Sequence, residues 1–174
     1  MAGFSNGGFS LMAAGRGFEE SGDSLSFAYR QFDGDGTIIA KLSSFENASD
    51  EAAAGLMARV SLAPDSSFFS VVAKREDGVD EWVTTHQSLR TEDGGSVTTW
   101  AGVSEFYPVW LKIVRAGDHF QYLKSSDGIR GSGGAQQRVP MGTSIYIGLA
   151  VFSRNAEQLA KTVFENVWVG ADVP

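Results

Sequence analysis

Apolar side chains recur at every second position through most of this 174-residue chain. Leu25, Phe27 and Tyr29 share one face, as do Ile38, Ala40 and Leu42. Over 55–62, Leu56, Ala58, Val60 and Leu62 face one way, and Met57, Arg59 and Ser61 the other. A period of two is the signature of a strand, whose successive side chains point to opposite sides of a sheet. The same pattern runs through 68–74, 79–86, 109–117, 119–126, 144–153 and 162–170. Turn signals rich in Asp, Gly, Ser and Pro separate these stretches: FDGDG (32–36), LAPDSS (62–67), TEDGG (91–95), SSDGI (125–129) and GSGGAQ (131–136). The spacing predicts an all-β chain of about a dozen strands, folded as an antiparallel sandwich or barrel. Residues 67–74 and 144–152 are apolar on both faces and are expected to be central strands. Helical signal is confined to single turns at SDEAAAG (49–55) and NAEQLAK (155–161).

FDGDG is the densest acidic, glycine-rich patch, and it invites a metal-loop reading. An EF-hand register starting at Asp33 places Ile38 where glycine is required and Ser44 where the bidentate glutamate belongs, so that register fails. Asp and Gly supply the positive φ angles of tight turns, and the patch reads as a hairpin joining 24–32 to 37–42.

Composition narrows the function classes. Hydrophobic residues make up 43% and charged residues 20%, a globular balance in a chain long enough for one domain over 1–174. The formal net charge is −7 with no basic stripe, which argues against nucleic acid and anionic membrane surfaces as partners. No apolar run approaches the roughly 18 residues of a membrane span. The start, MAGFSNGGFSLMAAG, lacks the pattern of a signal peptide. With no cysteine, disulfides, thiolate metal sites and cysteine nucleophiles are excluded, and the compartment stays open.

Four stretches carry a family resemblance: GDGTIIAKL (34–42), AGLMARVSL (54–62), WLKIVRAGDHFQYLKSSDG (110–128) and YIGLAVFSRNAEQLAKTVFENVWV (146–169). In order and spacing they resemble a bacterial β-sandwich family of the concanavalin A-like (laminin G-like) jelly-roll superfamily, over roughly 20–170. Such modules often accompany secreted glycoside hydrolases or large surface proteins. The resemblance implies two curved antiparallel sheets, with glycans lying across the concave face or at its rim, and an extracellular or cell-surface location. It also departs from the family. Ile129, Arg130 and Gly131 follow SSDG where the family has tryptophan, Glu165 replaces aspartate in the terminal motif, and Arg154 replaces histidine.

Catalytic patterns are thin. There is no G-x-S-x-G elbow, and the only histidines are His86 and His119. His119 follows a turn and reads as solvated. Retaining glycosidases need two carboxyls about 5–5.5 Å apart. Asp80 and Glu81 are adjacent on a strand and point to opposite faces. No transition-metal spacing occurs. Calcium is compatible with turn oxygens. The resemblance implies a site joining the N-terminal segment to the final strand, with Glu165 as carboxylate and Glu19 or Glu20 as partners. Sugars stack on aromatic faces while polar groups read their hydroxyls. Trp82, Trp100 and Tyr107, with Arg59 and His86, form the candidate patch. Trp110 is expected in the core, and Trp168 at the surface or over an edge. Asn47 opens a formal glycosylation sequon.

The leading expectation is a non-catalytic carbohydrate-binding or adhesion-type module. The alternatives are a structural or assembly subunit that self-associates or serves a host multidomain protein, and a glycoside hydrolase or lyase.

Overall fold

The computed structural model describes residues 2–5, 7–46, 51–76, 79–155 and 157–171; the sequon and most of the acidic start of 49–55 lie outside them. Fourteen strands follow in order: β1 (Ala2–Ser5), β2 (Gly8–Ala13), β3 (Ser26–Asp33), β4 (Gly36–Glu46), β5 (Ala53–Arg59), β6 (Phe68–Glu76), β7 (Val79–Arg90), β8 (Thr98–Phe106), β9 (Val109–Ala116), β10 (His119–Ser125), β11 (Ser132–Gly133), β12 (Gln137–Arg138), β13 (Ser144–Phe152) and β14 (Ala160–Gly170). They form two antiparallel sheets packed as a sandwich of the expected jelly-roll type. One has eight strands in the order β1-β2-β14-β4-β9-β10-β11, with β12 also on β10, and the other six in the order β3-β13-β5-β6-β7-β8. Among the described residues there is no helix, hence none that is long and apolar enough to cross a membrane. The turns predicted at 49–55 and 155–161 are not helical where described; β5 opens at Ala53 and β14 at Ala160.

Alternation builds the core. Val109, Leu111 and Ile113 point inward from β9, and Leu56 and Ala58 from β5. Phe69 of β6 stacks on Phe120 of β10 with centroids 5.4 Å apart, which ties the two sheets together. The expectation of central strands holds, since β6 lies between β5 and β7, and β13 between β3 and β5.

Two expectations are corrected. The FDGDG turn is not a hairpin, because β3 belongs to the six-stranded sheet and β4 to the eight-stranded one. The chain changes sheet here, with Gly34 at φ +77°. Buried Arg115 holds the crossing by donating to the carbonyls of Gly34 (3.0 Å), Gly117 (3.0 Å) and Thr143 (2.9 Å), and to that of Gly142. Asp35 accepts from the Gly117 amide at 2.6 Å, and Asp33 from the Ser144 hydroxyl at 2.5 Å. These two aspartates therefore pin loops. Trp110 is not in the core either. It lies opposite Lys41 and Ser125 on the outer face of the eight-stranded sheet, where a Cβ on Gly128 would stand 2.8 Å from its ring. Trp168 is half-buried on the terminal strand.

Candidate functional site

The outer face of the six-stranded sheet is built in rows by its register. One row runs Gln31, Tyr146, Arg59, Phe68, Arg90 from β3 to β7; another runs Phe27, Ala150, Gly55, Val72, His86, Ala101 from β3 to β8. Every residue of β5 is buried. Its inward side is covered by the other sheet, and its outward side by the segment joining β2 to β3. This strap, residues 14–25, lays Phe18 and Leu25 over Met57, Phe68 and Ala150 and over Ala53, Val72 and Phe152. Phe18 stacks on Phe68 at 4.5 Å and meets Phe152 edge-on at 5.3 Å. A Cβ on Gly17 would come within 2.7 Å of the Phe152 ring, so only glycine lets the strap lie this close.

Charge buried beneath the strap locks it. Arg90 donates to Asp23 Oδ1 (3.0 Å) and to the carbonyls of Glu19 (2.7 Å), Ser66 (3.0 Å) and Gly95 (3.0 Å), with its guanidinium over the Phe68 ring. Arg59 donates to Asp23 Oδ2 at 3.4 Å and to the Ala63 carbonyl. Burial lowers the Arg59 pKa, against the opposing pull of Asp23. Arg59 is thus a buried anchor of this strap rather than part of an open groove. The carbonyl of Glu19, not its carboxylate, takes part.

The other predicted residues separate. Trp82 and His86 point outward from β7, Trp82 against Phe106 with centroids 4.1 Å apart. Trp100 lies opposite Gln87, whose side faces the core, so it projects to the other side of the sheet. Both tryptophans sit on strands. Tyr107 is half-buried and packs on the core cluster. Glu165 lies on the outer face of the eight-stranded sheet, 3.0 Å from Lys41, while Glu19 and Glu20 sit on the strap over the opposite sheet. The three carboxylates expected to share calcium are therefore not brought together. Among the described residues no group of three or more His, Asp or Glu is arranged to hold a metal.

What the strap leaves open is a shallow cleft of about 100 Å³ around His86, lined also by Phe18, Glu51, Lys74, Phe152 and Arg154. Lys74 donates to Glu51 at 2.8 Å, and that bond lowers the Glu51 pKa, outweighing burial, which raises it. Arg154, at φ 60°, stands over the Phe152 ring and 4.0 Å from Glu51. Paired hydroxyls flank the cleft, Ser88 with Thr99 at 2.9 Å and Thr84 with Ser104 at 3.1 Å. The arrangement offers a histidine, hydroxyls and an ion network to a polar ligand, with the Phe18 and Phe152 rings in its wall. Sequence reasoning found His86, and it noted Arg154 only as a family departure. Glu51, Lys74 and Phe18 carry no local signal, because strand pairing and the strap assemble them.

No protein-family model and no curated protein matches the chain. Solved structures do. A functionally unknown protein from Saccharomyces cerevisiae is similar at TM-score 0.81 and 15% identity, over 100% of this chain and 93% of that one. A legume lectin-like domain from Entamoeba histolytica is similar at 0.65 and 10%, covering 99% and 87%. Carbohydrate-binding module CBM66 from Bacillus subtilis is similar at 0.57 and 16%, covering 97% and 90%. At such identities the likeness is one of fold, and it spans nearly the full length of all three chains.

Proposed function

We propose that this protein is a non-catalytic carbohydrate-binding β-sandwich, and that a glycan lies on the outer face of the six-stranded sheet beside the strap. The observation that carries the reading is the His86 cleft, where hydrogen-bonding groups converge beside two aromatic rings on the surface the strap leaves open. The lectin-like and carbohydrate-binding neighbours of the same fold support it. Glu51 is the one carboxylate among the described lining residues, and it is already engaged by Lys74, which favours binding over acid–base hydrolysis.

The test is a glycan array with the whole chain, followed by titration calorimetry on any hit. His86→Ala and Trp82→Ala are expected to weaken binding about tenfold each, the equivalent of 1.4 kcal/mol. Binding that neither substitution changes places the glycan elsewhere.

The alternative of an assembly subunit draws on β8, an edge strand that exposes Trp100, Val103 and Phe106.

A further inference from the structure

On the opposite side of the six-stranded sheet from His86, the edge of the sandwich between β8 and β10 opens into a cleft of about 220 Å³. Gln87, Trp100, Tyr122, Gly134 and Gln137 line it. On β7, Val83 and Leu89 point into the core. Between them sit Thr85 and Gln87, both buried. Gln87 is only 3% exposed and Tyr122 6%. Gln87 and Tyr122 line the cleft, and behind them Thr85 Oγ1 is buried with no hydrogen-bond partner among the described residues. Buried polar groups are nearly always paired, and here an amide and a phenol hydroxyl turn to one cleft with the unpartnered Thr85 hydroxyl behind them, a polar floor that points to a ligand.

Glycine makes room for these groups. A Cβ on Gly134 would stand 2.5 Å from both Gln87 Oε1 and a Tyr122 ring carbon, and one on Gly102 would stand 2.6 Å from Thr85 Oγ1 and 3.2 Å from the Tyr122 hydroxyl. The 131–137 loop and β8 therefore close on a polar floor that any larger residue would fill. Trp100, 44% exposed, stands at the mouth on the same side of the sheet as Gln87, its register partner.

We propose that this edge cleft is a second carbohydrate site, taking a single neutral pyranose ring. The ring's C–H face would stack on Trp100, and its hydroxyls would pair with the Gln87 amide and Tyr122 hydroxyl, groups that both donate and accept. Among the described residues no charged side chain lines the cleft, which favours a neutral ligand. Its volume falls below the roughly 300–1,000 Å³ of sites for larger ligands, which suits one sugar unit or a chain end. The site stands independently of the His86 reading.

The test titrates the whole chain with methyl glycosides of glucose, galactose, mannose and xylose. Tryptophan indole and glutamine side-chain amide signals are followed by NMR. The Trp100 indole and the Gln87 amide are expected to move together and to saturate at millimolar glycoside. Trp100→Ala, at an exposed strand position, and Gln87→Leu, a near-isosteric change, are each expected to weaken this binding at least tenfold. Trp82→Ala and His86→Ala are expected to leave it unchanged, which separates this site from the first. The proposal is overturned if no glycoside moves the Trp100 indole, if both variants at Trp100 and Gln87 keep the wild-type constant, or if Trp82→Ala abolishes the Trp100 response.

Discussion

Asp127 accepts backbone hydrogen bonds from Ile129 (2.8 Å) and Arg130 (2.9 Å) and a hydroxyl from Ser125 (2.7 Å). The backbone bonds, strengthened by the Ser125 hydroxyl, favour the charged form and lower its pKa to about 2. For a carboxylate depressed in the folded state, the stabilisation is complete above its unfolded value, near 3.8, and is lost as pH falls toward 2. An NMR titration is expected to give Asp127 a midpoint near 2, with the 125–130 turn ordered at pH 4 and fraying below. Asp127→Asn removes the charge and with it this acid dependence, and the Trp110 ring that the turn covers becomes more accessible to a fluorescence quencher. A midpoint near that of a free aspartate would mean the turn does not depend on its charge. The SSDG motif is legible in sequence as a turn, but its consequence is not. Where the resembling family continues with tryptophan, Ile129 here is 86% exposed and the following strand shrinks to Ser132–Gly133.

The strap is the element the sequence conceals most. Its residues show little alternation, and what the sequence suggests for it is Glu19 or Glu20 as a calcium partner, through the family resemblance. The working carboxylate is Asp23, paired with two arginines distant in sequence. The strands themselves were legible because a period of two is a local property. Pairing order is not local, which is why the 32–36 turn, correctly located, was read as a hairpin rather than a change of sheet. Likewise Arg59 was rightly placed out of phase with its apolar neighbours, but nothing nearby says that its face is covered. Asp23→Asn leaves Arg59 and Arg90 buried without a counter-charge, and removing one partner of a buried pair typically costs about 3–5 kcal/mol. Urea unfolding is expected to show a loss of that order, with faster amide exchange concentrated in 14–25. Replacing Asp23 with no change in either measurement would mean that Phe18 packing alone holds the strap. Phe18→Ala tests that side, with an expected loss of about 1.5–3 kcal/mol for the exposed ring surface.

At the scale of the whole molecule, the two readings of function differ in how they treat the sheet edges. The six-stranded sheet ends at β8, nine residues long, with Val103 72% and Phe106 53% exposed. A long edge strand of this kind is a template for pairing with a second copy. Two features oppose it. The β7–β8 register shifts between Thr84/Ser104 and His86/Ala101, setting Gly102 and Val103 of β8 against the single Thr85 of β7. Such a bulge bends the edge and splits its free hydrogen-bonding groups into two short runs. Glu105 is also an inward-pointing charge on this edge strand, still partly exposed in its ion pair with Lys124 at 2.9 Å, a device that discourages a further strand from adding. Stable interfaces bury about 1,200–2,000 Å² of surface, which an interrupted edge pairing does not supply by itself. The chain is therefore expected to run as a monomer at micromolar concentration in size-exclusion chromatography with light scattering. Val103→Lys, which places a charge on the exposed bulge, is expected to change neither its mass nor its glycan binding. A stable dimer that Val103→Lys dissociates would instead make β8 an assembly surface and favour the subunit reading over the binding module.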